Sequence, residues 1–162
     1  MPPVTHPNVQ LVVDALRRGG ADPSRIDRMR VLPDAVSTAA AAAAALGVEV
    51  GQIANSLVFD ADGAPLLVLT SGAHRVDTGK VAALVGATRV RRATPEFVRA
   101  ATGQAIGGVA PVGHPAPIRT LVDRALEAYP EVWAAGGIPH AVFPSTFAEL
   151  VAVTGGEPAD VA

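Results

Sequence analysis

The chain has 162 residues, 49% of them hydrophobic, with 13 basic side chains against 15 acidic and no cysteine. That length suits one domain with a sizeable core, no apolar run reaches the ~18 residues of a membrane span, and MPPVTHPNVQ lacks the order of a signal peptide. Near-neutral charge argues against a broad electrostatic grip on nucleic acid, and the lack of cysteine removes disulfides and Cys-built zinc sites, so a cytoplasmic protein is expected.

In chain order, PNVQLVVDALRRGG has Pro7 near a helix start, Val9, Val12, Val13 and Leu16 at helical spacing, and two glycines to stop it. This predicts an N-terminal helix over about 7–20. A short strand follows from Met29 to Leu32, ended by Pro33. STAAAAAAALGV begins with capping hydroxyls and meets Gly47, predicting a helix whose small side chains let neighbours approach closely. SLVFDADGAPLLVLTSG reads as a hairpin around Asp60-Ala61-Asp62-Gly63, with Asn55-Ser56 at the entrance to its first strand. HRVDTGKVAALVG predicts a helix capped by Asp77, and ATRVRR a strand. TPEFVRAATG predicts a helix with Thr94 as N-cap, Pro95 as first helical residue and Gly103 as stop. Short strands are expected near Ile118 to Val122, Val132 to Ala135 and Ala141 to Phe143. PSTFAELVAVTGG closes as a helix, with Ser145 or Thr146 as cap and Glu149 placed for a capping box. About four helices among six or seven strands, several joined as hairpins, predict a single α+β domain over 1–162.

Candidate chemistry is sparse. The chain has no G-x-S-x-G elbow, P-loop, H-E-x-x-H or dinucleotide fingerprint. His6, His74, His114 and His140 lie far apart without metal-ligand spacing, so neither metal nor organic cofactor is expected. Arg89, Arg91 and Arg92 read as a solvated strand edge, with a local nucleic-acid contact as the alternative. Two stretches stand out. Gly107-Gly-Val-Ala-Pro-Val-Gly-His114 can bring backbone N–H groups close to a ligand oxygen or can simply connect two elements. Asn55-Ser56 interrupts the run IANSLVF, and buried polar groups need partners: either a local cap satisfies them or they face a cavity.

Taken together, IANSLVF, LTSGAHRVD, TGQAIGGVAPVGH and EVWAAGG resemble, in order and spacing, the YbaK/EbsC family, freestanding relatives of the editing domain of bacterial prolyl-tRNA synthetases. The resemblance covers about 37–155. It implies an α+β fold with a mixed, barrel-like sheet and surrounding helices. It also implies hydrolysis of the ester joining a wrong amino acid to the terminal ribose of tRNA. An activated ester asks for positioned water and an oxyanion site more than for a strong acid or base. A small pocket can act as a second sieve, and only the single-stranded acceptor end need enter it.

Carried over by position, the resemblance implies that Gly107, Gly108, Val109, Ala110 and Pro111 face the aminoacyl group, with Ser71 and Gly72 near the same pocket and Ser56 beside it. Where family members carry lysine this chain has Asn55, which can bond a ribose hydroxyl but cannot offer charge to a phosphate. Arg75 or Lys80 could compensate. Asn55, Gly107 and His114 are the candidate catalytic residues, and His114 could equally bond a loop carbonyl. The expected activity is deacylation of mischarged tRNA, by family analogy proline tRNA bearing Cys or Ala, with prolyl-tRNA synthetase as a possible partner and no membrane or DNA role. The alternative is a relative that binds aminoacyl-tRNA or a synthetase without hydrolysis.

Overall fold

Among residues 6–162, which this computed structural model describes, six α-helices and eight strands alternate in a mixed α+β arrangement. Helix α1 (Pro7–Arg18) buries Val9, Val12, Val13 and Leu16 on one face, as their spacing requires. A short α2 (Pro23–Ile26) leads to β1 (Arg30–Val31). Thr38 caps α3 (Ala39–Leu46), its Oγ1 accepting from Ala41 N at 3.1 Å.

Strands β2 (Ile53–Ala61) and β3 (Ala64–Ser71) form a hairpin with a two-residue turn. Asp62 and Gly63 both have positive φ, 52° and 92°, as a turn matching the strand twist demands. Then come α4 (Thr78–Val85), β4 (Val90–Arg92), α5 (Pro95–Thr102), β5 (Arg119–Asp123), β6 (Val132–Ala135), β7 (Ala141–Ser145), α6 (Phe147–Thr154) and β8 (Glu157–Ala159). No helix among the described residues is long and apolar enough to cross a membrane.

The sheet runs β1-β7-β6-β2-β3-β5-β8, with β4 beside β2. One face carries the main core, where Ala54, Val58, Leu67, Leu69, Val122, Ala134 and Phe143 meet α1, Val98 of α5 and Leu150 of α6. The other face has two smaller cores. Ile53, Trp133 and Val142 pack with Ala42 and Ala43 of α3, and Phe59, Leu66, Val68 and Leu121 pack with Val81 of α4.

Four details differ from the sequence reading. Helix α2 and strand β8 were not anticipated, being a four-residue turn and a three-residue edge too short for periodicity to show. Asn55 and Ser56 are not at the mouth of β2 but are its third and fourth residues. Thr146 caps α6, yet Glu149 does not close a capping box: its carboxylate accepts from Ser145 Oγ at 2.8 Å, Asp22 N at 2.9 Å and Arg25 at 3.1 Å. It therefore fastens α6 to α2.

Candidate active site

Strand β2 is paired from Ala54 to Ala61 on one edge by β3, but its other edge is shared. Ile53 and Ala54 pair with Trp133 and Ala134 of β6, and Phe59 to Ala61 pair with Arg92 to Val90 of β4. Between those contacts, Asn55 to Val58 have no neighbouring strand, and a cavity of about 320 Å³ opens there. Peptide groups alternate between the two edges of a strand. Ile53 O accepts from Gly72 N on the β3 side and Asp62 N donates to Arg89 O on the β4 side. By that alternation Ser56 and Val58 turn their backbone groups into the gap.

The gap is walled by β6 and β7 (Trp133, Ala134, Ala141), by α3 and the residues before it (Ser37, Thr38, Ala39), by Val98 of α5, and by Ile106, Gly107 and Val109. Asn55 and Ser56 both line it but on opposite faces of the strand. Asn55 shares a face with Ile53 and Leu57, while Ser56 lies between Ala54 and Val58 on the main-core face. The turn before β2 is closed by Glu49 and Gln52, Glu49 N donating to Gln52 Oε1 at 3.1 Å, so Asn55 has no capping role there. Ser56 Oγ is buried and, among the described residues, has no hydrogen-bond partner. The polar pair therefore faces a cavity.

The loop after α5 is held from inside. Gln104, 2% exposed, accepts from Ala110 N at 2.7 Å through Oε1, and Thr102 Oγ1 accepts from Gln104 N at 3.0 Å. Gly107 has φ 92°, and a Cβ there would stand 3.1 Å from Ser37 Cβ. A Cβ on Gly108 would meet Ile138 C at 2.5 Å and Pro139 N at 2.6 Å, so this position admits no side chain. Gly108 N donates to Ala105 O and Ala110 N to Gln104. That leaves the N–H groups of Ile106, Gly107 and Val109, the loop residues lining the cavity, without an internal acceptor among the described residues.

The structure does not bring all the expected residues together. Pro111 and His114 line a separate hollow with Arg18, Pro115 and Thr154. His114 Nε2 lies 2.8 Å from Ala110 O, and burial pushes the imidazole pKa down. A carbonyl only accepts, so Nε2 carries the hydrogen of a neutral ring. Ala110 is fully buried behind the loop. Ser71 and Gly72 lie on the β3 side of β2, outside the cavity. Ser71 Oγ donates to Gly51 O at 2.9 Å, and a Cβ on Gly72 would collide with Val50 O. Lys80 Nζ is turned to Ala162 O at 2.9 Å.

Two features escaped the sequence reading. One is Gln104, whose amide looked like any polar residue after a helix stop. The other is Asp123, 1% exposed, whose Oδ2 accepts from Ser71 N at 3.0 Å and Thr70 Oγ1 at 3.3 Å, with His74 Nδ1 2.9 Å away. Thr70 is the cross-strand partner of Asn55, so this cluster lies on the same face as Asn55, one strand further on.

Comparison with known proteins fits this geometry. A family model described as "Aminoacyl-tRNA editing domain" matches residues 33–153. The chain is 38% identical over 82 residues to the proline–tRNA ligase of Nitratidesulfovibrio vulgaris and 38% identical over 93 residues to that of Bacillus licheniformis. These stretches are 51% and 57% of this chain but only 14% and 16% of the ligases, so the chain corresponds to a small part of them. Among solved structures, a candidate trans-editing enzyme for prolyl-tRNA synthetase superposes with a TM-score of 0.86 at 47% identity, covering 96% of this chain and 97% of that one. A hypothetical protein gives 0.83 at 32% identity, covering 93% and 98%. With most of its length matched, the chain belongs to the aminoacyl-tRNA editing domain family.

Proposed function

We propose that the chain is a trans-acting deacylase that hydrolyses the ester of mischarged tRNA, with proline tRNA carrying Cys or Ala as the preferred substrate. The observation that carries this reading is the gap in β2, where unpaired backbone, a buried hydroxyl and loop residues whose N–H groups have no internal acceptor line one cavity.

The terminal ribose and its ester would lie across the gap, beside Asn55. The amino acid side chain would point toward Val98, Val109 and Ala134, where space suits a small residue. Attack of water on the ester carbonyl builds charge on its oxygen, and the N–H groups of Gly107 and Val109 would receive it. Water and the ribose hydroxyl would supply the proton transfers, which needs positioning rather than a strong base. Such an enzyme would act in the cytoplasm on the acceptor end of tRNA, alongside prolyl-tRNA synthetase. A binding protein without hydrolysis is the second reading, favoured by the neutral Asn55.

The test is the rate of deacylation of proline tRNA charged with Cys, Ala or Pro. The proposal expects Cys or Ala to be released well above the spontaneous rate and Pro to be spared. Three esters decaying as they do in buffer would defeat it.

A further inference from the structure

Among the described residues the cavity wall is neutral except at one point: Arg92, on β4, is the only charged residue lining it. Other arginines of the chain, including its sequence neighbour Arg91, are held in ion pairs. Arg91 pairs with Asp60 at 3.6 Å, Arg119 with Glu157 at 3.7 Å, and Arg28 with Glu131 at 2.6 Å. Arg92 has no acidic partner among the described residues and is exposed. Its register partner is Phe59, so its side chain leaves the sheet on the same face as Phe59, Leu57 and Asn55. The four residue steps from Phe59 back to Asn55 span roughly 13 Å of strand, along the stretch whose outer edge has no partner strand.

An unpaired cation on the rim of a neutral cavity invites an anion. An aminoacyl ester brings none at its reacting end, because its own charge is the α-ammonium. The nearest anion on an aminoacylated nucleotide is the 5′-phosphate of the same nucleoside, across the ribose from the ester. A guanidinium offers a planar fork that matches two phosphate oxygens. We propose that Arg92 binds the 5′-phosphate of the terminal nucleotide and so fixes how far the ester enters the gap. This assignment rests on reading the cavity as an aminoacyl-ester site. It assigns to β4 the role that the sequence suggested for Arg75 or Lys80; neither lines the cavity, and Lys80 is held at the C-terminus.

The experiment compares hydrolysis of alanyl-adenosine esters with and without a 5′-phosphate, by wild type, Arg92→Gln and Arg92→Lys, each checked for unchanged thermal melting. Wild type should favour the phosphorylated ester about tenfold or more in kcat/KM, the range of one charge-assisted contact. Arg92→Gln should lose that preference by slowing only on the phosphorylated ester, and Arg92→Lys should keep part of it. A wild type indifferent to the phosphate, or a preference surviving in Arg92→Gln, would overturn the assignment. If wild type hydrolyses neither ester, the deacylase reading fails on its own. Calorimetric titration with the amide-linked, non-hydrolysable analogues then decides Arg92 separately. A phosphate-dependent affinity lost in Arg92→Gln supports it, and equal affinities refute it.

Discussion

Gln104 Oε1 accepts the Ala110 N–H at 2.7 Å, and through that one bond a buried side chain sets the shape of the loop that walls the cavity. Gln104→Leu keeps the volume but leaves a buried N–H without an acceptor, a cost of ~1–3 kcal/mol. The expected result is a melting temperature lowered by about 2–4 °C for each kcal/mol, with turnover falling further than stability because Gly107 and Val109 shift. Melting curves beside deacylation rates would check it; a variant as stable and active as wild type would show that the loop holds itself.

Gly108 makes a sharper demand. The atoms that a Cβ would meet, at 2.5 and 2.6 Å, belong to the Ile138–Pro139 backbone, which cannot swing aside as a side chain could. Gly108→Ala should therefore cost ~1–3 kcal/mol as an overpacked contact. Ala substituted at Gly113, equally tight, at a positive φ of 88° and outside the cavity, should destabilise without the same selective loss of activity. Equal losses of kcat at equal stability would contradict a local role for Gly108.

Ser56 should behave in the opposite way. Its Oγ is buried without a partner, so Ser56→Ala removes an unsatisfied group and should leave stability unchanged or raise it by up to ~1 kcal/mol. If the hydroxyl meets substrate, the same variant loses about tenfold in kcat/KM. A clear drop in melting temperature would instead reveal a bond within the protein.

The elements legible from the sequence were those with local punctuation. Thr94-Pro95 and Gly103 bracket α5, Thr38 and Gly47 bracket α3, and Asp62-Gly63 turns the hairpin. The site was legible only in part. Asn55, Gly107 and Val109 line one cavity, but His114 and Pro111 face another hollow, because the loop crosses the core between them. Arg92 read as a strand edge, which it is; that β4 pairs with only the far end of β2 is a fact of long-range register that no local pattern encodes. Asp123 and Glu149 likewise serve partners far away in the chain.

His114 carries a pH signature. Its folded pKa is pushed below the ordinary value of about 6.5 because burial disfavours the imidazolium, outweighing the bond to Ala110 O. The unfolded chain then binds the proton more readily, so this contribution to stability is whole above about 6.5 and is lost as pH falls through the folded pKa. Wild type should begin to lose stability as pH falls below about 6.5, above the range where Glu131, held low by Arg28, begins to titrate. His114→Gln, which keeps a donor for Ala110 O, should flatten that slope in a denaturant series. An unchanged slope would place the effect elsewhere.

If the β2 gap of this chain, with Asn55 in it, hydrolyses an aminoacyl ester, single-turnover deacylation of alanyl proline tRNA by wild type, Gly107→Val and Asn55→Lys will show it. Wild type should hydrolyse the ester and Gly107→Val should not, because a side chain there would press on Ser37 at a positive φ. An inert wild type, with hydrolysis appearing only in Asn55→Lys, would contradict it and make the protein a binder of the acceptor end.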